Sequence, residues 1–119
     1  MRLIFVFVFF LCFLQTDAQS INKKTLAKGK EVYSLYCLPC HQEDGAGVPH
    51  LNPPLGKTSY VLGDKKKLIG IVLNGFQDKV EINGDTYSNV MAPHDFLTDE
   101  EISSVLTLSL IHISEPTRH

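Results

Sequence analysis

Two thiols three positions apart, with an imidazole directly after them, constrain this chain more than any other feature: Cys37-Leu38-Pro39-Cys40-His41. The pattern reads as a c-type haem attachment site. Each thiol adds across one vinyl group of the porphyrin, which fixes the ring edge to the chain, and His41 reaches the iron from the proximal face. Three other readings compete. Leu38-Pro39 also fills the C-x-P-C slot of a thiol–disulfide oxidoreductase, in which Cys37 and Cys40 would be the redox pair. In that fold the pair follows a strand and opens a helix, whereas here a helix-compatible stretch precedes it and no β-α-β pattern surrounds it. A structural disulfide would leave His41 without a role. A zinc site needs a closed tetrahedral ligand set, and the sequence has no second cysteine pair, its third cysteine being Cys12.

The chain has 119 residues, room for one domain. Arg2 supplies a short positive start, Leu3 to Leu14 is an unbroken apolar run of 12 residues, and Thr16-Asp17-Ala18 ends on a small residue. This predicts an export signal over 1–18, cleaved after Ala18. The run is too short to cross a ~30 Å hydrocarbon core, which takes about 20 residues, so no stable membrane insertion is expected after cleavage. Lipid attachment at Cys12 is the weaker alternative, because Phe10 and Leu11 are bulky for the positions before a lipidated cysteine. A soluble periplasmic or otherwise extracytoplasmic location agrees with haem attachment, which in bacteria takes place outside the cytoplasm.

At the other end, Leu108-Ser109-Leu110-Ile111-His112-Ile113-Ser114-Glu115-Pro116-Thr117-Arg118 reads, residue for residue, like the translation of a transposase-type sequencing adapter. Residues 108–119 are read as an artefactual tail and left out of fold reasoning, with the natural gene expected to run on. Leu108, Leu110, Ile111 and Ile113 can still extend a helix by a turn or two.

The domain that remains, Gln19 to Thr107, is 89 residues long. A core of that size needs a staple, a metal or a cofactor. The formal net charge is −2 with no basic stripe, so no nucleic-acid partner is expected. Thr25 to Tyr36 is helix-compatible, with Leu26, Gly29, Val32, Tyr33 and Tyr36 at spacings of three and four, and Pro39 is expected to block its continuation. Residues 42–60 are rich in Gly and Pro and read as a long ordered loop. Asp64 caps a second helix that stops at Asn74-Gly75. Val80 and Ile82 before Asn83-Gly84-Asp85 predict a small hairpin. The last helix opens with the capping box Thr98-Asp99-Glu100-Glu101, and Ile102, Val105 and Leu106 form its apolar face.

The second axial ligand must come from downstream. Met91 is the candidate: it stands in the Pro-punctuated stretch Asn89-Val90-Met91-Ala92-Pro93, one loop before the last helix. A thioether is a soft ligand that favours ferrous iron and raises the potential. His94 and His50 are the alternatives, giving bis-histidine ligation.

With those residues in hand, residues 25–107 resemble a class I c-type cytochrome, of the short periplasmic single-haem kind found beside bacterial dehydrogenases. Gly29 and Tyr33 on the first helix match, as do Cys37-Leu38-Pro39-Cys40-His41, Asp44-Gly45-Ala46-Gly47 and Pro53-Pro54-Leu55. Asn83-Gly84-Asp85-Thr86-Tyr87, Met91-Ala92-Pro93 and Leu97-Thr98-Asp99-Glu100-Glu101-Ile102 follow in the family's order. The resemblance implies an all-α cytochrome c fold, a few helices wrapped around one covalently attached haem c. It implies that the first and last helices cross with Gly29 at the contact, and that Pro53 or Pro54 offers its carbonyl to His41 Nδ1. One departure stands out: the family's longer last helix, with an aromatic after Leu106-Thr107, is replaced here by the adapter-like tail.

The reading is an exported electron carrier, not an enzyme, cycling Fe(III)/Fe(II) between redox partners such as a periplasmic dehydrogenase or a terminal oxidase. It could also be the cytochrome part of such an enzyme. Its haem edge near Cys37 and Cys40 would be the docking patch. Two other classes stay open at this point: a catalytic or sensing haem protein with an open sixth site, and the thiol oxidoreductase. Lys65-Lys66-Lys67 is read as a solvated helix start ahead of a steering patch for an acidic partner.

Overall fold

In the computed structural model, residues 21–113 are described. The expected export signal over 1–18, with Cys12, and the end of the adapter-like tail, 114–119, lie outside them. The first helix, α1 (Lys23–Val32), begins where the Asn22 side chain accepts the Lys24 N–H at 2.9 Å, closing an otherwise orphaned donor. Pro39 does not end it. The chain widens by one residue in a π-helical turn, Tyr33–Cys37, where the Leu38 N–H reaches back to the Tyr33 carbonyl. It then runs on as α2 (Leu38–His41), with Pro39 in its first turn. The expectation of a break at Pro39 is corrected: the wide turn absorbs the proline and keeps Cys37, Cys40 and His41 on helical backbone.

The loop after His41 is shorter than the expected 42–60, because Thr58 caps a single turn, α3 (Ser59–Leu62), by accepting the Val61 N–H at 3.3 Å. Helix α4 (Lys65–Asn74) starts at Asp64, whose Oδ1 accepts the Lys67 N–H at 3.1 Å, and stops at Gly75. The hairpin is present as β1 (Val80–Ile82) and β2 (Asp85–Tyr87), antiparallel, with Val80 opposite Tyr87 and Ile82 opposite Asp85. Its turn residues Asn83 and Gly84 both have positive φ, 54° and 80°, the combination that Asn-Gly supplies most readily. The last helix, α5 (Asp99–Leu108), carries the expected capping box: the Glu101 N–H donates to Thr98 Oγ1 at 3.2 Å, and the Thr98 N–H donates to Glu101 Oε2 at 2.8 Å. A second π-helical turn, Ser109–Ile113, follows it.

Packing joins the two ends of this sequence. Val32 and Tyr33 bury against Leu97, Ile102, Val105 and Leu108 in one small cluster, the contact between α1 and α5. Gly29 permits it, since a Cβ there would run into the Ser104 carbonyl and sit 3.1 Å from Leu108 Cβ. Leu108, the first residue of the adapter-like stretch, is only 5% exposed, so a chain ended at Thr107 would lose a core side chain.

Candidate functional site

Beside this core, and sharing Tyr33, Leu97 and Val105 with it, is a cavity of about 330 Å³. Cys37, Cys40 and His41 line it together with Pro53, Pro54, Met91 and His94, and much of the remaining wall is apolar or aromatic. The sequence candidates that come together are therefore Cys37, Cys40, His41, Met91, Pro53, Pro54 and His94. His50 lies apart. Its side chain is 82% exposed and paired with Asp85 on the hairpin.

His41 is held by backbone on two sides. Its Nδ1–H donates to the Pro53 carbonyl at 2.9 Å, and since a carbonyl can only accept, the neutral ring keeps its free lone pair on Nε2. The His41 carbonyl takes the Gly47 N–H at 2.9 Å. Gly47, at φ 68°, lies so close to the Asn52 and Pro53 carbonyls that no Cβ fits. Burial pushes the His41 pKa below the ordinary imidazole value, against the pull of the Pro53 carbonyl and with a smaller push from His94. A neutral ring with one nitrogen anchored and the other free is what an iron ligand requires. Tyr33 steadies the chain just beyond, its hydroxyl donating to the Gln42 carbonyl at 2.6 Å. Burial, then Cys37 and Asp44, push the Tyr33 hydroxyl up to about 12.

The thiols are not those of a redox dithiol enzyme. Burial, with Cys40 beside it, pushes Cys37 up to about 11, the reverse of the depressed value that makes a thiolate nucleophile. No helix N-terminus activates it, because the π-helical turn joins α1 to α2 without a break. Among the described residues no group of three or more His, Cys, Asp and Glu converges, which leaves a zinc site without ligands.

Met91 is positioned by main chain. It exchanges both backbone bonds with Phe76, N–H to carbonyl at 2.8 and 3.0 Å. Gly75, at φ 75°, is in contact with the Met91 carbonyl where any Cβ would clash. Three residues on, the His94 N–H donates to the Val72 carbonyl at 2.8 Å, so the loop is fastened beside the end of α4 at Met91 and again just after it. The His94 ring lies against Tyr36 and Phe96, at centroid distances of 6.4 and 5.7 Å, and its buried Nδ1 has no hydrogen-bond partner among the described residues.

Sequence reading missed part of the wall. Tyr60 and Phe76 meet edge to face at 5.9 Å, and Lys67 Nζ stands 4.8 Å above the Tyr60 ring. Both aromatics flank α4, one before its cap and one after its stop, and that flanking position was the available signal.

Two thiols and a neutral imidazole at one side of an apolar cavity, with a thioether in the same cavity, fit a covalently bound haem. A family model described as Cytochrome c matches residues 26–107. The chain belongs to the cytochrome c family. It is 39% identical over 84 residues to a cytochrome c-552 of Thermus thermophilus, across 67% of this chain and 63% of that one. A second cytochrome c-552, from a named strain of the same organism, is also 39% identical over 84 residues, across 67% and 56%. The chain thus spans about three fifths of the length of these relatives. As in the family, the cofactor of this cytochrome c is covalently attached haem c. The all-α cytochrome c fold expected from sequence is observed as a mostly helical fold, together with the small hairpin that Val80, Ile82 and Asn83-Gly84 predicted. No helix among the described residues is long and apolar enough to cross a membrane.

Proposed function

We propose that this cytochrome c is an exported, periplasmic single-haem electron carrier, with thioether bonds from Cys37 and Cys40 and with His41 and Met91 as axial ligands. The observation that carries it is the His41 Nδ1–H bond to the Pro53 carbonyl, which leaves Nε2 free in the cavity that Met91 also lines. When bound, the haem supplies one-electron Fe(III)/Fe(II) chemistry. The protein's part is to keep the ligand set unchanged in both oxidation states. Pro53 and Gly47 hold His41 in place, the Phe76 pairing holds the Met91 backbone, and the apolar wall limits water around both. A held ligand set needs little atomic movement when an electron passes. The partner is another redox protein, such as a periplasmic dehydrogenase or a terminal oxidase, docking near the exposed Cys40.

The fastening of the Met91 loop favours a filled sixth site over an open one for substrate or gas. The unpartnered Nδ1 of His94 favours it as the alternative axial ligand. The test of attachment is a pyridine haemochrome spectrum on protein exported from a strain with haem-attachment machinery. Wild type should give covalent haem, and Cys37→Ser or Cys40→Ser should sharply lower holoprotein yield. Normal covalent haem in both variants would end the proposal.

A further inference from the structure

The loop that carries Pro53 and the hairpin that leads into the Met91 loop are tied together by side chains far apart in sequence. Asp85, the first residue of β2, holds His50 twice. The His50 N–H donates to Asp85 Oδ2 at 2.9 Å, and the His50 Nδ1 pairs with Asp85 Oδ1. His50 has left-handed backbone, φ 64°, which is uncommon for a residue with a side chain. Close by, Asn89 Nδ2–H donates to Asn52 Oδ1 at 3.3 Å. Asn52 directly precedes Pro53, and Asn89 stands two residues before Met91, so both ties border the segments that position the axial ligands.

We infer that His50 and Asp85 form a proton-sensitive clasp that fastens the Met91 side of the cavity to the His41 side. The clasp rests on the reading of His41 and Met91 as axial ligands. Asp85 is its fixed half: it also accepts the Thr86 N–H at 2.8 Å. Burial opposes its ionisation, but the bonds from His50 and Thr86 outweigh that and hold its pKa below the ordinary carboxylate value. What Asp85 contributes is therefore complete above the carboxylate range and is lost only as pH falls through its lowered value. On the hairpin the other titratable group facing Asp85 is Tyr87, which burial, then Asp85, hold above its ordinary value, so it stays neutral. His50 is the variable half. Its ring is open to water, and protonation turns its contact with the Asp85 carboxylate from a hydrogen bond with one charged partner into an ion pair, which strengthens it. Asp85 acts as a positioning residue, through the hairpin, on Met91.

Hydrogen exchange on the holoprotein tests this, through the Met91 N–H that bonds to the Phe76 carbonyl. Protection factors, corrected for intrinsic exchange, are compared at pH 5.5 and pH 8, on either side of the ordinary imidazole range. Wild type should be roughly two- to fivefold more protected at pH 5.5, the range of an exposed ion pair. His50→Asn accepts left-handed backbone and keeps the N–H bonded to Asp85, so it removes only the titrating ring. It should show equal protection at both pH values. Asp85→Asn should lose the pH dependence and lower protection throughout. Equal protection at both pH values in wild type, or a pH dependence that survives in His50→Asn, overturns the clasp. A haemochrome and the ferric sulfur-to-iron band on the same samples report covalent haem and Met91 ligation separately, so failure of the ligand reading is seen apart from failure of the clasp.

Discussion

His41 and Met91 line one cavity but reach it by different means. His41 is fixed by its neighbours in sequence: Cys37 and Cys40 precede it on the same helical run, and the Pro53 carbonyl twelve residues on takes its Nδ1–H. Met91 is fixed by a distant part of the chain, through backbone bonds to Phe76 and the His94 bond to Val72 at the end of α4. On the His41 side the ring itself is held. On the Met91 side the bonds are to the main chain, and among the described residues no hydrogen bond fixes the thioether. The first arrangement resists loss of its ligand, while the second depends on the close backbone approach at Gly75.

Two glycines make that difference measurable. Gly47→Ala and Gly75→Ala each put a Cβ where backbone already stands, on left-handed backbone. Each should cost about 1–3 kcal/mol of stability. Their spectra should part. Gly75→Ala should weaken the ferric sulfur-to-iron band by moving Met91, whereas Gly47→Ala should keep the band and lower the thermal midpoint. Similar spectra in the two variants would erase the distinction between the sides. Pro53→Ala should do least. The acceptor is the backbone carbonyl, which alanine retains, so the expected loss is about 0.4–1 kcal/mol from the freer unfolded chain, with an unchanged visible spectrum. A changed spectrum would mean that the pyrrolidine ring, not the carbonyl, orients His41.

The same contrast explains what could be read from sequence. The attachment motif, the Thr98–Glu101 capping box, the Asp64 cap and the Asn83-Gly84 turn are local patterns, each legible because neighbouring residues satisfy one another's backbone. Pro39 misled because a single residue's intolerance of helix gave no sign of the π-helical turn that accommodates it. The Met91 pairing with Phe76 and the Tyr60–Phe76 contact join residues from separate elements, and no spacing rule encodes those pairings. His50 was a ligand candidate by residue type alone; its partner, Asp85, lies 35 residues away. Leu108, set aside with the tail by its resemblance to an adapter, packs in the core because any apolar residue one turn beyond Val105 faces α1.

The midpoint potential and ferric spectrum of Met91→His, beside wild type and Met91→Ala, test the ligand pair most directly. Wild type should be low-spin with the sulfur-to-iron band. Met91→His should remain low-spin, lose the band and fall in potential, because imidazole stabilises ferric iron more than a thioether does. Met91→Ala should become high-spin and open to added ligands. An unchanged spectrum and potential in Met91→Ala would contradict the account and pass the sixth position to His94.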